Sequence, residues 1–285
     1  MKLRLKNRKK KNSAMSKVYT KDEIKKQLAA MNAPQDAVVT VHSSLRKVGN
    51  VEDSGEGLLD AFIEYFTKDG GLFVVPTHTW DNIGNSDKPT LDMNIPHTCI
   101  GKLTEIAAAH PDAHRSMHPT HSVAVFGESA KAESFIKNDE TADLMISPDG
   151  CYGNIYRQGG FVLLVGVGHE SNTYIHCIEA MLDVPNRVEK EHNCRVSVMT
   201  AEGRLIERKL RGLVEDKIGD VSVRYPKFEA AFRYHDCIID GFIGDAKTQL
   251  CDAVRMKEVL KLIYTRSKGV EILADDEPLD EKYYI

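Results

Sequence analysis

The stretch GGFVLLVGVG, residues 159–168, decides how this chain folds. The run Phe161 to Val165 is apolar throughout and has glycines on both sides, so neither face of a strand there offers a polar residue to water. Strands of that kind lie in sheets covered on both faces by helices. The segment it feeds, SNTYIHCIEAMLDV at 171–184, has Ile175, Ile178 and Leu182 at helical spacing. A buried strand followed at once by an amphipathic helix is the repeating unit of an α/β protein.

Working outward, the same alternation recurs. DAVVTVHSS (36–44), GLFVVPT (71–77) and HSVAVFG (121–127) read as strands, and SGEGLLDAFIEYFTKDG (54–70), GKLTEIAAAHP (101–111) and ESAKAESFIKND (128–139) as helices between them. YTKDEIKKQLAAM (19–31) opens with Thr20 and Glu23 at capping-box spacing. VRMKEVLKLIYTRSK (254–268) is a late helix. The reading is an α/β fold with a largely parallel sheet covered by helices on both faces. A smaller antiparallel β excursion in the C-terminal half, about 190–225, is marked by the hairpin pattern CRVSVMTAEGRLIERKL (194–210).

Residues 17–285 are expected to form one domain behind a basic leader at 1–16. Residues 1–17 hold eight Lys or Arg and no acid; of the chain's 38 basic side chains, residues 18–285 keep 30, against 42 acidic ones. A basic arm of this kind grips nucleic acid or an anionic surface, or is a disordered leader upstream of a start at Met15. The acidic body argues against nucleic acid as the main partner and suits a polycationic small molecule. No apolar run reaches the roughly 20 residues needed to span a bilayer, and the start lacks the apolar region of a signal peptide. The six cysteines, Cys99, Cys151, Cys177, Cys194, Cys237 and Cys251, are scattered singly, which suits reduced thiols in the cytoplasm.

Two segments invite chemistry. HPDAHRSMHPTH (110–121) spaces His110, His114, His118 and His121 by four, four and three, as a helical metal site would. Pro111 and Pro119 break that helix, so no metal site is expected there. The helix after residue 171 is more informative. With Ser171 or Asn172 as N-cap, His176, Glu179 and Asp183 fall on one polar stripe beside the apolar one. His176 near the positive helix end is kept neutral and able to take a proton; a solvent-facing charged stripe is the competing reading. Cys177, about 100° round the helix from His176, reads as a packed thiol. The spacing G-x-G-x-x-S at 166–171 is not a dinucleotide fingerprint, and no G-x-S-x-G elbow exists.

VHSSLRKVG (41–49), GGLFVVPTHTW (70–80), RSMHPTHSVAVFG (115–127), SPDGCYGNIY (147–156) and VLLVGVGHESNTYIHCIEAM (162–181) together resemble, in order, the aminoglycoside 3-N-acetyltransferase family. A weaker echo lies in GFIGDAKTQL (241–250). The resemblance implies acetyl transfer from acetyl-CoA to the 3-amino group of a 2-deoxystreptamine aminoglycoside, by direct attack in a ternary complex and without a metal. It implies a coenzyme site at Ser43, Ser44, Leu45, Arg46 and Val48, completed by Thr77, His78, Arg115, Ser116, His118, Pro119 and Ser122. His176 stands at the catalytic position as general base, Glu179 at a catalytic and acceptor-binding one, with Asp183 beside it for the acceptor's ammonium groups. Asp236, in RYHDC, is the expected partner orienting His176. Family members often carry an amide or another residue where this chain has His78 and His121. A monomer or homodimer is expected. The alternatives left open are an orphan coenzyme-binding acyltransferase or binding protein with a non-antibiotic amine acceptor, and a histidine-rich metal hydrolase.

Overall fold

The computed structural model describes residues 17–214 and 219–285. The basic leader at 1–16 lies outside the described residues. Seven strands make the central sheet: β2 (Val38–Ser43), β4 (Leu72–Pro76), β6 (His114–Arg115), β7 (Val123–Phe126), β8 (Phe161–Val165), β11 (Ile238–Ile243) and β12 (Ala246–Asp252). Two short strands, β1 (Val18–Tyr19) and β3 (Asn50–Val51), pair with each other. A separate sheet joins β5 (Leu91–Asp92) to the hairpin of β9 (Cys194–Met199) and β10 (Leu205–Leu210). After the hairpin, among the described residues, isolated β-bridges form at Arg211 and Leu213 and Val221–Phe228 forms a 3-10 helix.

Helices cover both faces. On one, α1 (Lys21–Ala30), α3 (Ser54–Phe66) and α4 (Lys102–Ala109) pack with Val39, Val41, Phe73 and Val75. Thr20 and Glu23 close the capping box at the start of α1. On the other face, α5 (Ser129–Ile136), α6 (Cys151–Arg157), α7 (Tyr174–Met181), α8 (Glu229–Tyr234) and α9 (Ala253–Ser267) pack with Val38, Val74, Val162 and Leu164. Odd and even residues of one strand thus serve different cores, as a period of two demands.

The sheet is mixed, which corrects the expectation of a largely parallel one. Its order is β11-β12-β8-β2-β4-β7-β6, and only the β8–β2 and β2–β4 pairs are parallel. The other four pairs are antiparallel. After β4, helix α4 crosses over and delivers β6 in the parallel sense. The turn through Pro119 then sends β7 back into the slot beside β4. A C-terminal hairpin, β11–β12, fills the far edge in the same way. Among the described residues the cysteines are all free, and no helix is long and apolar enough to cross a membrane.

Candidate active site

Strand parity gathers one histidine from each of three neighbouring strands at a single sheet edge, and a helix adds a fourth. His42 shares the face of Val38 and Thr40 near the end of β2. His78 continues the face of Leu72 and Val74 beyond β4, and His121 leads into Val123 and Val125 of β7. The β4–β7 ladder runs on past the named strands through Thr77 N–H to Ser122 O and Thr79 N–H to Thr120 O. His78 and His121 are therefore cross-strand opposites, with ring centroids 4.5 Å apart. Helix α7, reached through a 3-10 turn at His169–Ser171, supplies His176. All four imidazoles border one cavity of about 740 Å³. It lies outside the carboxyl ends of the parallel strands, where open α/β sheets bind ligands.

His176 is held by a buried polar cluster. Its Nδ1 lies 2.7 Å from the phenol oxygen of Tyr225, and that phenol donates to Glu179 Oε2 at 2.6 Å. A phenol has one proton and the carboxylate takes it, so Nδ1 must be the imidazole donor and Nε2 keeps its lone pair. Glu179 is fully buried; Arg187 Nε donates to it at 2.9 Å, and Tyr264 donates to the same oxygen. Arg187 in turn pairs with Glu271. Two carboxylates against one guanidinium leave the cluster net negative. Burial still dominates at His176 and lowers its pKa below the usual value, while Glu179 opposes that shift. Burial also raises the Tyr225 phenol well above its ordinary value, so it stays protonated.

The remaining walls mix functions. Glu170 and Asp220 put two carboxylates on the cavity border, and Trp80 stands half exposed there. Ser43 borders the cavity where β2 ends, and the short helix α2 (Leu45–Val48) follows at once. Its first N–H groups have no intrahelical acceptor. Arg46 is exposed and forms no ion pair among the described residues. This edge of serine hydroxyls, N–H groups and a cation fits the phosphate and amide groups of a coenzyme A.

A family model for aminoglycoside 3-N-acetyltransferases matches residues 40–264. The chain belongs to that family. It is 27% identical over 179 residues to the SPbeta prophage-derived aminoglycoside N(3')-acetyltransferase-like protein YokD of Bacillus subtilis (strain 168), covering 56% of this chain and 64% of that one. To aminoglycoside N(3)-acetyltransferase IV of Salmonella sp it is 32% identical over 173 residues, covering 60% and 63%. The matches span just under two thirds of those two relatives. Aminoglycoside acetyltransferase AAC(3)-IVa, as apoenzyme, has a similar structure, with TM-score 0.72, 25% identity and 92% of both chains covered. A mutant of that enzyme in complex with apramycin gives TM-score 0.68 at 26% identity, covering 86% of this chain and 91% of that one. AAC-IIIb, solved binary with CoASH, shares the fold at TM-score 0.68 and 19% identity, covering 85% and 94%.

The family motifs divide into groups that reach the cavity and groups that build its floor. His176, His78 and Ser43 border it. Leu45 and Val48 instead pack against the core under α1 and α3. The R-S-x-H-P-T-H-S polar groups make the β6–β7 turn. Ser116 Oγ accepts from Val123 N–H at 3.0 Å, and His118 Nδ1 accepts from Thr120 and His121 N–H while its Nε2–H donates to Leu144 O. Ser122 and Thr77 hydroxyls bond each other, and Pro119 O accepts from Thr79. Ser116, His118, Ser122 and Thr77 are thus buried scaffold, which corrects their expected contact with the coenzyme. Arg115 is tied to the carbonyls of Ile95 and His97 rather than to the cavity. His110 meets Phe126 edge-on and His114 faces Glu133, so these two point away from the neighbouring pair His118 and His121.

Three acidic expectations change. Glu179 faces inward, bonded to Arg187 and two phenols, and is not free to hold an acceptor. Asp183 lies past the end of α7 in a left-handed conformation, exposed and off the cavity. Asp236 sits exposed in the turn after α8, where its carbonyl accepts from Arg255, and Tyr225 has the place beside His176 intended for it. A test follows. Tyr225→Phe removes a hydrogen bond into a charged cluster, worth about 1.5–3 kcal/mol, so kcat is expected to fall roughly 10- to 100-fold. Asp236→Asn is expected to leave it unchanged. Steady-state kinetics of the two variants check this, and the reverse order would restore Asp236 as the orienting group.

Proposed function

We propose that this chain transfers the acetyl group of acetyl-CoA to the 3-amino group of a 2-deoxystreptamine aminoglycoside, by direct attack in a ternary complex. The observation that carries the reading is the hydrogen-bond chain from His176 Nδ1 through Tyr225 to Glu179 on the border of a large cavity, which leaves Nε2 free to accept a proton. An acceptor amine, once it has released its ammonium proton to solvent, must lose a second proton as its lone pair forms the bond to the thioester carbon. His176 Nε2 takes that proton, a service typically worth about 10²–10⁴-fold. The imidazolium so formed is stabilised through Tyr225 by the negative cluster behind it. Glu170 and Asp220 hold the acceptor's other ammonium groups and Trp80 covers an apolar face of it, which orients the reacting amine. Ser43, Ser44, Arg46 and the N–H groups of α2 hold the coenzyme. The relatives solved with apramycin and with CoASH support both halves of this assignment by analogy.

The experiment is free-thiol release from acetyl-CoA across a panel of aminoglycosides and simple amines. Release with 2-deoxystreptamine compounds, with acetylation at the 3-amino group in the product, is the expected result. Release with simple amines alone would make the chain an acyltransferase of another acceptor class, and release with none would refute the proposed activity.

A further inference from the structure

Of the four imidazoles at the sheet edge, three have a ring nitrogen engaged by the protein. His176 Nδ1 meets Tyr225, His78 Nε2 meets the Tyr152 phenol at 2.6 Å, and His121 Nδ1 meets the Thr120 hydroxyl at 2.9 Å. His42 differs. The residue is 8% exposed and borders the cavity, yet its Nε2 is buried with no hydrogen-bond partner, and neither ring nitrogen is bonded among the described residues. A neutral imidazole always carries one N–H. Nε2 is buried without a partner, and an N–H on Nδ1 meets no acceptor from the protein among the described residues, so a group in the cavity is left to accept it.

The position suggests the missing acceptor. His42 immediately precedes Ser43, where the proposed coenzyme edge begins, and it shares the cavity with His176. We infer that His42 is a catalytic residue whose imidazole N–H donates to the thioester carbonyl oxygen of acetyl-CoA. The inference rests on the acetyl-transfer reading above. In the step, the amine lone pair forms the N–C bond and the carbonyl π pair moves onto oxygen, while His176 Nε2 takes the amine proton. The oxygen then returns its pair, the C–S bond breaks, and the leaving sulfur takes the proton from His176 to give the free thiol. His42 keeps its own proton throughout; it strengthens its hydrogen bond as the oxygen becomes anionic. Burial lowers the His42 pKa to about 4, so the donor is the neutral ring at working pH.

The test uses the carbonyl stretch of acetyl-CoA, carbon-13 labelled at the thioester and bound without any amine, together with turnover. His42→Phe keeps the ring's bulk and removes its N–H, and His42→Gln keeps a donor. Wild type is expected to lower the stretching frequency relative to water, His42→Phe to abolish that shift and lower kcat about 10²–10³-fold, and His42→Gln to recover part of both. Affinity for coenzyme A, which lacks the acetyl carbonyl, is expected to stay at the wild-type level in both variants, which also reports that they fold. A shift that persists in His42→Phe, or turnover that survives in it, overturns the inference. His176→Ala is expected to keep the shift. If no amine releases thiol from the wild type, the acceptor reading fails while the bound-state spectrum still decides the role of His42.

Discussion

Replacing His176 with alanine is expected to lower kcat by about 10²–10⁴-fold while coenzyme A affinity stays at the wild-type level. The reason is geometric before it is chemical. His176 is the imidazole at the cavity whose tautomer is dictated by a phenol that already gives its proton to a carboxylate. The sign of the pH dependence follows from the same site. Burial holds the His176 pKa below the usual 6.5, so the base is present above that value and is lost only as pH falls further below it. Turnover at wild-type level in the alanine variant would show that another group accepts the amine proton.

Glu179→Ala is expected to be the most destabilising change at the site, by about 3–5 kcal/mol, because it strips a buried guanidinium of the fully buried one of its two carboxylates. Arg187 and Glu179 are 3% and 0% exposed at their side chains, and the pair ties α7 to Glu271 beyond α9. The same substitution leaves the phenols of Tyr225 and Tyr264 without their acceptor. A denaturant midpoint compared with wild type measures the effect. Glu179→Gln is expected to lose less, since the amide oxygen still accepts from a phenol. A wild-type midpoint for the alanine variant would mean that these contacts do not hold α7 in place.

The core of this fold is legible in apolar runs. Those at 161–165, 72–75 and 38–41 read directly as buried strands. Strand direction was not legible, because Val123–Phe126 is antiparallel to β4 yet as apolar and as buried as its parallel neighbours. A strand covered on both faces has the same composition whichever way it runs. Glu179 shows a second limit. It lies four residues after Ile175 and one after Ile178, on the seam between the apolar and polar stripes of α7. Only its partner Arg187, on a separate loop, decides that it faces inward. Tyr225 had no signal near the helix it serves, being 49 residues from His176. The R-S-x-H-P-T-H-S motif marked the right region, but of its side chains only His121 reaches the cavity; the others are held by the surrounding scaffold. His42 was readable after the fact. It falls two residues after Thr40 and four after Val38, and period-two parity alone carries it to the face that holds His176.

The most direct test of the account is a nitrogen-15 NMR pH titration of the histidine rings, with the His176 signal assigned by its absence from the alanine variant. The account expects the His176 ring at neutral pH to be uncharged, with its proton on Nδ1 and Nε2 bare, and to charge only below pH 6.5. A ring protonated on Nε2, or charged at neutral pH, would contradict it.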